Sequence, residues 1–114
     1  MLDEVKIAAS NLEAQNISVE VIDPRTLVPL DFDAIAQSVK KTGRLVIAHE
    51  AVKVGGFGGE IVSLINEHAF EFLDAPIKRV ASKDVPVAYS AVLEDQILVQ
   101  TDWILNAIEE ILEY

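Results

Sequence analysis

The stretch that decides the fold is DFDAIAQSVKKTGRLVIAHE, residues 31–50. Asp31 can cap a helix whose apolar residues recur at the spacing of one helical face: Phe32, Ile35, Ala36 and Val39. Thr42 and Gly43 end this helix, because glycine readily takes the left-handed conformation that closes helices. The apolar run Leu45–Ala48 follows at once. A helix, a glycine and a short apolar run together predict a buried strand of a parallel sheet.

The flanking segments continue the alternation of helices and strands. Before this stretch an amphipathic helix is predicted from Leu2, Val5, Ala8, Ala9 and Leu12, and Ile17–Ile22 alternates like a strand. After it, a helix carries Ile61, Leu64, Ile65 and His68 on one face. Ile77–Ala81 predicts a further strand, and Val92–Leu98 a short helix. Thr101 is expected to cap the last helix, whose apolar stripe is Leu105, Ile108 and Leu112.

This order of elements predicts an α/β domain with three layers, α/β/α, around a mainly parallel sheet. Residues 1–114 are expected to form one domain. The chain begins directly in a helix, and three strands make a narrow sheet for four helices to cover. We therefore expect that a first strand is missing, as it would be in a fragment of a longer protein.

The composition excludes several classes of function. The 114 residues are 51% hydrophobic and 25% charged, carry a formal net charge of −10 and include no cysteine. Disulfides, cysteine zinc sites and cysteine nucleophiles are therefore excluded, and the acidity disfavours nucleic acid and anionic membranes as partners. It suits a basic protein partner. There is no signal-peptide pattern and no apolar run near the roughly 20 residues of a membrane span, so we expect a cytoplasmic protein, or a mitochondrial matrix protein in a eukaryote.

The glycine-rich turn GGFGG, residues 55–59, lies between a strand and a helix, where phosphate-binding loops lie. It matches neither the dinucleotide-binding nor the P-loop pattern, because Ile61 stands where a third glycine is required and no Lys-Ser or Lys-Thr pair follows. A turn in which backbone passes close to backbone is the favoured interpretation. His49 and His68 raise a metal or general-base hypothesis, but their spacing offers no third ligand, so structural roles are favoured.

Acidic residues crowd the end of the last helix. Glu109, Glu110 and Glu113 lie where negative charge opposes the helix dipole. This placement predicts either a small loss of helix stability that the fold tolerates or a surface that binds a basic partner. Tyr114, the last residue, either frays or anchors an interface through its ring and the terminal carboxylate. No Gly-x-Ser-x-Gly motif of a nucleophilic serine occurs. The residues by themselves therefore indicate an interaction domain without catalytic machinery.

Five separated motifs resemble the transketolase C-terminal domain. In the form that these motifs take here, they are closest to that domain in the beta subunit of thiamine-dependent 2-oxoacid dehydrogenases. The motifs cover essentially the whole chain in the family's order: VEVIDPRTLVPLD (residues 19–31), GRLVIAHE (43–50), GGFGGE (55–60), FLDAPIKRV (72–80), and DVP (84–86) with LE (93–94). Two positions depart from the pattern, because Ala88 and Val99 stand where the family often has proline.

The resemblance implies a parent enzyme that decarboxylates a 2-oxoacid on thiamine diphosphate and magnesium and acylates a lipoyl group. The pyruvate, branched-chain and acetoin dehydrogenases are of this type. It implies that this fragment binds no cofactor or metal, holds no catalytic residue and is itself inactive. The expected partners are the alpha subunit, a second beta subunit and the basic subunit-binding domain of the lipoyl acyltransferase core. In related subunits that docking uses positions that match Asp74 and Tyr114.

Two alternatives remain open on the sequence. One is the C-terminal domain of another transketolase-like enzyme, such as an acetoin dehydrogenase or a deoxyxylulose-phosphate synthase. The other is a stand-alone acidic α/β interaction module, such as a response-regulator receiver, although the paired acids of a receiver cannot be placed here.

Overall fold

A computed structural model describes residues 1–86 and 89–114 of the chain. The elements are α1 (Leu2–Glu13), α2 (Phe32–Thr42), β1 (Val46–Val52), α3 (Gly58–His68), a 3₁₀ helix (Phe70–Phe72), β2 (Lys78–Ser82), α4 (Ala91–Ile97) and α5 (Thr101–Leu112). Ala88, one of the two departures from the family pattern, lies outside the described residues. Within the described ranges no helix combines the length and the apolar character that crossing a membrane requires.

The sheet is parallel, as the sequence predicts. β1 pairs with β2 in a register that runs from Val46 opposite Lys78 to His49 opposite Ala81, and an irregularity precedes Val52. The connection between the two strands contains α3, which is the usual way to join parallel strands. The predicted α/β class with a parallel sheet is therefore confirmed.

The predicted strand at Ile17–Ile22 is wrong, because the structure assigns no strand there. In the described part of the chain, the backbone of Ser18–Ile22 makes no hydrogen bond to other backbone. The segment is held to α2 by the side chain of Glu20, which accepts a hydrogen bond from the Ser38 hydroxyl at 2.6 Å and lies 3.8 Å from the Lys41 ammonium. An alternating pattern becomes a strand only when a neighbouring strand pairs with it.

Helix ends follow the predicted chemistry at α2 and depart from it at α5. The Asp31 carboxylate accepts a hydrogen bond from the Ala34 amide at 3.2 Å, and Gly43 closes α2 with φ of 75°. The prediction that Thr101 caps α5 is wrong. Gln100 precedes that helix without a side-chain cap, and the Thr101 hydroxyl donates instead to the Glu4 carboxylate of α1. Thr101 therefore joins two helices.

The core has two parts, one on each face of the sheet. Side chains of α2, β1 and α3, with the residue that follows α3, form the first part: Ile35, Val39, Ile47, Ile61, Ile65 and Ala69. Side chains of α1, β2 and α5, with the segment before α5, form the second: Ala8, Val80, Val99, Ile104 and Ala107. Ile47 belongs to the first part while its neighbours Val46 and Ala48 pack on the second. This alternation along β1 gives the three layers.

Candidate partner-docking site

Asp74 lies in the loop that leads from the 3₁₀ helix to β2. Its amide donates a hydrogen bond to the Gly43 carbonyl at 2.7 Å, and its carboxylate lies against the Gly43 α-carbon. A β-carbon at Gly43 would overlap the Asp74 Oδ2 atom, so the glycine is required both by its positive φ and by this contact. Asp74 is exposed, and no described cation lies within ion-pair distance of it. Its carboxylate therefore faces solvent with its charge uncompensated.

Tyr114 is fixed through its main chain by Arg44, the residue after Gly43. The Arg44 Nε donates to the Ile111 carbonyl at 2.9 Å, and its Nη2 donates to the Tyr114 main-chain oxygen at 2.6 Å. The last carbonyls of a helix have no partner within it, so the guanidinium caps α5 from outside through Ile111 while it also holds Tyr114 just beyond the helix end. Tyr114 is left 66% exposed. The residue is therefore accessible to a partner while its main chain is held by Arg44.

The acidic end of α5 is compensated by residues of other elements. The last turn of α5 contains no basic residue of its own. Lys78 of β2 lies 2.7 Å from the Glu110 carboxylate, and Arg44 supplies positive charge at the helix end. The hydrogen bond and the charge of Glu110 raise the pKa of Lys78 above its ordinary value of 10.5. The predicted conflict of these glutamates with the helix dipole is thereby reduced.

The two residues proposed from the sequence each contact one of two adjacent residues. Asp74 contacts Gly43, and Tyr114 is bound by Arg44, the next residue along the chain. We call these four residues the docking face. It presents a carboxylate without a described ion-pair partner and an aromatic residue that is largely exposed, and the main chains of both residues are held by hydrogen bonds. Such a pair suits a partner that offers a cation beside an apolar surface.

The glycine-rich turn holds the side chain of His49. A β-carbon at Gly56 would overlap the Val52 carbonyl and lie 2.6 Å from His49 Cε1, and one at Gly58 would lie 2.7 Å from His49 Nε2. The close backbone approach expected of this turn is present, and the imidazole fills the space beside it. His49 Nδ1 is 3.0 Å from the Ala51 carbonyl, whereas Nε2 is buried without a hydrogen-bond partner. On this side the turn packs against the imidazole of His49.

His68 lies apart from His49, at the end of α3. Its ring meets the edge of Phe32 at 5.7 Å between centroids, and Nε2 is 3.6 Å from the Glu67 carboxylate. In residues 1–86 and 89–114, no group of three histidine, aspartate or glutamate side chains is close enough to hold a metal ion. The structure does not bring the two histidines into one site.

Comparison with known proteins identifies the family. Residues 1–104 match the transketolase C-terminal domain. The chain belongs to this family. Among curated relatives, the pyruvate dehydrogenase E1 component subunit beta of Rickettsia bellii is 44% identical over 91% of this chain and 32% of its own length. The mitochondrial subunit of the same name from Dictyostelium discoideum is 45% identical over 91% of this chain and 29% of its own.

A second kind of relative is the 2-oxoisovalerate dehydrogenase subunit beta of Pseudomonas aeruginosa. It is 48% identical over 75% of this chain and 25% of its own length. The chain thus spans about a third or less of the curated relatives it matches. This transketolase C-terminal domain is therefore similar to one part of dehydrogenase beta subunits that act on different 2-oxoacids.

Sequence reasoning missed the two basic residues that contact α5 near its end, Arg44 and Lys78. Arg44 stands 67 and 70 positions away from the carbonyls that it binds, and no local pattern marks so distant a contact. Lys78 lies within the family motif of residues 72–80, which gives no sign of its pairing with Glu110. One signal was available. When a helix ends in three glutamates and has no basic residue in its last turn, basic side chains from other elements are expected to lie near that end.

Proposed function

We propose that the chain is the C-terminal domain of the beta subunit of a 2-oxoacid dehydrogenase and that it serves assembly and docking. Its proposed partners are the alpha subunit, a second beta subunit and the basic subunit-binding domain of the lipoyl acyltransferase core. The observation that carries the proposal is that Asp74 contacts Gly43 while Tyr114 is bound by Arg44, the next residue along the chain. The relatives, all beta subunits of such dehydrogenases, support the parent enzyme over another transketolase-like enzyme.

Charge supports the choice of partner. The chain carries a formal net charge of −10, which attracts a basic domain from a distance. At the docking face the Asp74 carboxylate lacks a described ion-pair partner, whereas Glu110 is already paired with Lys78. Unlike Glu110, Asp74 is therefore able to gain an intermolecular ion pair without breaking one inside the chain.

Calorimetric titration with the subunit-binding domain of the matching acyltransferase tests the docking role. We expect binding that weakens as salt shortens the screening length from about 10 Å at 0.1 M to about 3 Å at 1 M. Asp74→Asn is expected to weaken it by about tenfold, since loss of a charged hydrogen bond typically costs about 1.5 kcal/mol. Tyr114→Ala is expected to weaken it as well, through the lost aromatic contact.

Two control variants separate a site from bulk charge. Glu13→Gln at the end of α1 and Asp95→Asn on α4 each remove one exposed carboxylate far along the chain from the docking face. Both are expected to change the affinity by less than about twofold, as exposed charges do. Equal losses for Asp74→Asn and the controls would refute the docking face and leave only bulk attraction. Salt-insensitive binding would refute the electrostatic basis.

The thiamine diphosphate and magnesium of the parent enzyme are assigned to its other domains and not to this one. Two features disfavour a diphosphate at the glycine turn: His49 and the Val52 carbonyl lie against one side of it, and Glu60 places negative charge in the first turn of α3. We expect the Tm to be unchanged by thiamine diphosphate with magnesium. A ligand at 100 times its Kd would stabilise the domain by about 2.7 kcal/mol, so a clear rise in Tm would contradict this assignment.

A further inference from the structure

A groove of about 630 Å³ lies between the loop 24–30 and α3. The loop, the glycine-rich turn, α3 and one side chain of β2, Arg79, form its lining. None of the four residues of the docking face lines it. The groove is therefore a separate surface, and what is inferred for it does not rest on the docking role.

Aliphatic side chains form the wall that the loop contributes. Val28 is 88% exposed and Leu27 is 48% exposed, and both line the groove. Leu30 and Phe57 line it as well and pack inward against the core. Neighbouring apolar residues that are exposed beside charged groups are typical of protein interaction sites. The groove therefore offers an aliphatic side chain a place to pack.

The loop holds its aliphatic side chains in a fixed position. The Thr26 amide donates to the Pro24 carbonyl at 2.6 Å across Arg25, whose φ is 64°, which is a γ-turn of the rare and strained kind. The Asp23 carboxylate accepts from the Arg25 amide at 3.2 Å, and the Thr26 hydroxyl donates to the Pro29 carbonyl at 2.8 Å. Strain that neighbouring bonds enforce is concentrated at functional sites, and a fixed surface loses little entropy when it binds.

Arg79 supplies the polar group of the groove. This side chain is half-buried, and its Nη1 donates to the Lys53 carbonyl at 3.1 Å. Among the described residues, no carboxylate lies within ion-pair distance of it. A guanidinium has five N–H donors and can bind a carboxylate through two parallel hydrogen bonds. Arg79 therefore favours a carboxylate as the group that a partner brings.

Two further residues limit what can approach Arg79. Glu60 is exposed and lines the groove without pairing with Arg79, so it repels a ligand with several negative charges. Gly59 has no side chain, although an alanine β-carbon there would meet Arg79 Nη1 at an ordinary contact distance of 3.6 Å. Packing within the fold does not require this glycine, and its small size leaves the guanidinium uncovered. A single carboxylate on an otherwise uncharged segment fits these limits.

We propose that this groove binds a segment of another protein in which an aspartate or glutamate stands beside an aliphatic residue. The carboxylate pairs with Arg79, and the aliphatic side chain packs against Leu27 and Val28. The groove thus has the opposite charge preference to the docking face, which suits a cation. The chain presents two surfaces that select partners of different chemistry.

Amide chemical shifts of the labelled chain, recorded while a capped peptide is added, test this proposal. The probe peptide has a central aspartate between two leucines with an alanine at each end, and the matched peptide has asparagine in place of the aspartate. We expect the largest shift changes in the loop, in the glycine-rich turn and at Arg79. The asparagine peptide should bind about tenfold more weakly, as expected for loss of a charged hydrogen bond. This comparison leaves the folded chain unaltered.

Three variants assign the contacts. Arg79→Gln should weaken binding of the aspartate peptide by about tenfold and leave the asparagine peptide unaffected. Gly59→Ala should weaken binding with an unchanged Tm, because its methyl group lies against the guanidinium. Lys6→Gln is the control, since it removes an exposed cation of α1, and it should change the affinity by less than about twofold.

Three results would overturn the proposal. Equal affinities of the two peptides would show that Arg79 does not select a carboxylate. Shift changes centred outside the groove, or no changes, would show that the groove is not the binding surface. Equal losses for Arg79→Gln and Lys6→Gln would leave only the removal of positive charge as the cause.

Discussion

Replacing Arg44 with alanine removes the guanidinium that holds the end of α5. The partly buried hydrogen bond to Ile111 contributes about 1 to 1.5 kcal/mol, the lower range for a charged donor. The exposed bond to Tyr114 contributes about 0.5 kcal/mol. The positive charge at the helix end adds about 0.5 kcal/mol. We therefore expect Arg44→Ala to lower the free energy of unfolding by about 2 kcal/mol.

A thermal melt followed by circular dichroism measures this loss. With an unfolding entropy of about 0.24 kcal/mol/K for 114 residues, the expected fall in Tm is about 8 °C. Arg44→Lys keeps the positive charge but cannot make both hydrogen bonds of the guanidinium, so its Tm should lie between those of wild type and Arg44→Ala. Arg25→Ala is the matched control, because its side chain is 83% exposed beside Asp23 and its loss should move the Tm by less than about 2 °C. Equal shifts for Arg44→Ala and Arg25→Ala would refute the capping role.

Three further predictions concern the fold around the site. Gly56→Ala should lower the free energy of unfolding, measured in a denaturant melt, by about 2 kcal/mol, because the new methyl group overlaps the Val52 carbonyl. Gly59→Ala is the control: its methyl group would lie 3.6 Å from its nearest neighbour, so it should not lower the free energy of unfolding. Asp31→Ala should cost about 1 kcal/mol through the lost cap of α2, and a cost near zero would contradict that role. The pKa of Lys78 is raised in the folded state, so its ion pair with Glu110 stabilises the folded chain fully below about pH 10.5. This stabilisation is lost as pH rises through the folded-state pKa of Lys78. The Tm difference between wild type and Lys78→Met should therefore vanish in strong alkali.

Local chemistry explains the parts of the fold that the sequence predicted correctly. Asp31 and Gly43 bound α2 because capping and left-handed closure depend on neighbouring residues only. The segment 17–22 and Thr101 were predicted wrongly because their roles depend on distant partners. A strand needs a neighbouring strand, which the segment lacks here, and the Thr101 hydroxyl binds Glu4, 97 positions away. The local sequence pattern therefore predicts the helices more reliably than the strands.

The candidate site also has residues that the sequence identified and a residue that it did not. The family resemblance named Asp74 and Tyr114 separately, and the structure brings each against one of two adjacent residues. No local pattern indicates that Arg44 binds the end of α5, since that contact depends on how α5 packs beside the segment that leads from α2 into β1. The side chains that fix a docking face can therefore be distant in sequence from those that meet the partner.

Amide chemical shifts, recorded while the subunit-binding domain is added to the labelled chain, test the central claim most directly. The claim is that the partner binds at Gly43, Arg44, Asp74 and Tyr114. We predict that the largest shift changes centre on these four residues and that they diminish at high salt. Changes centred on α4 or on the glycine turn, or no changes at all, would contradict it.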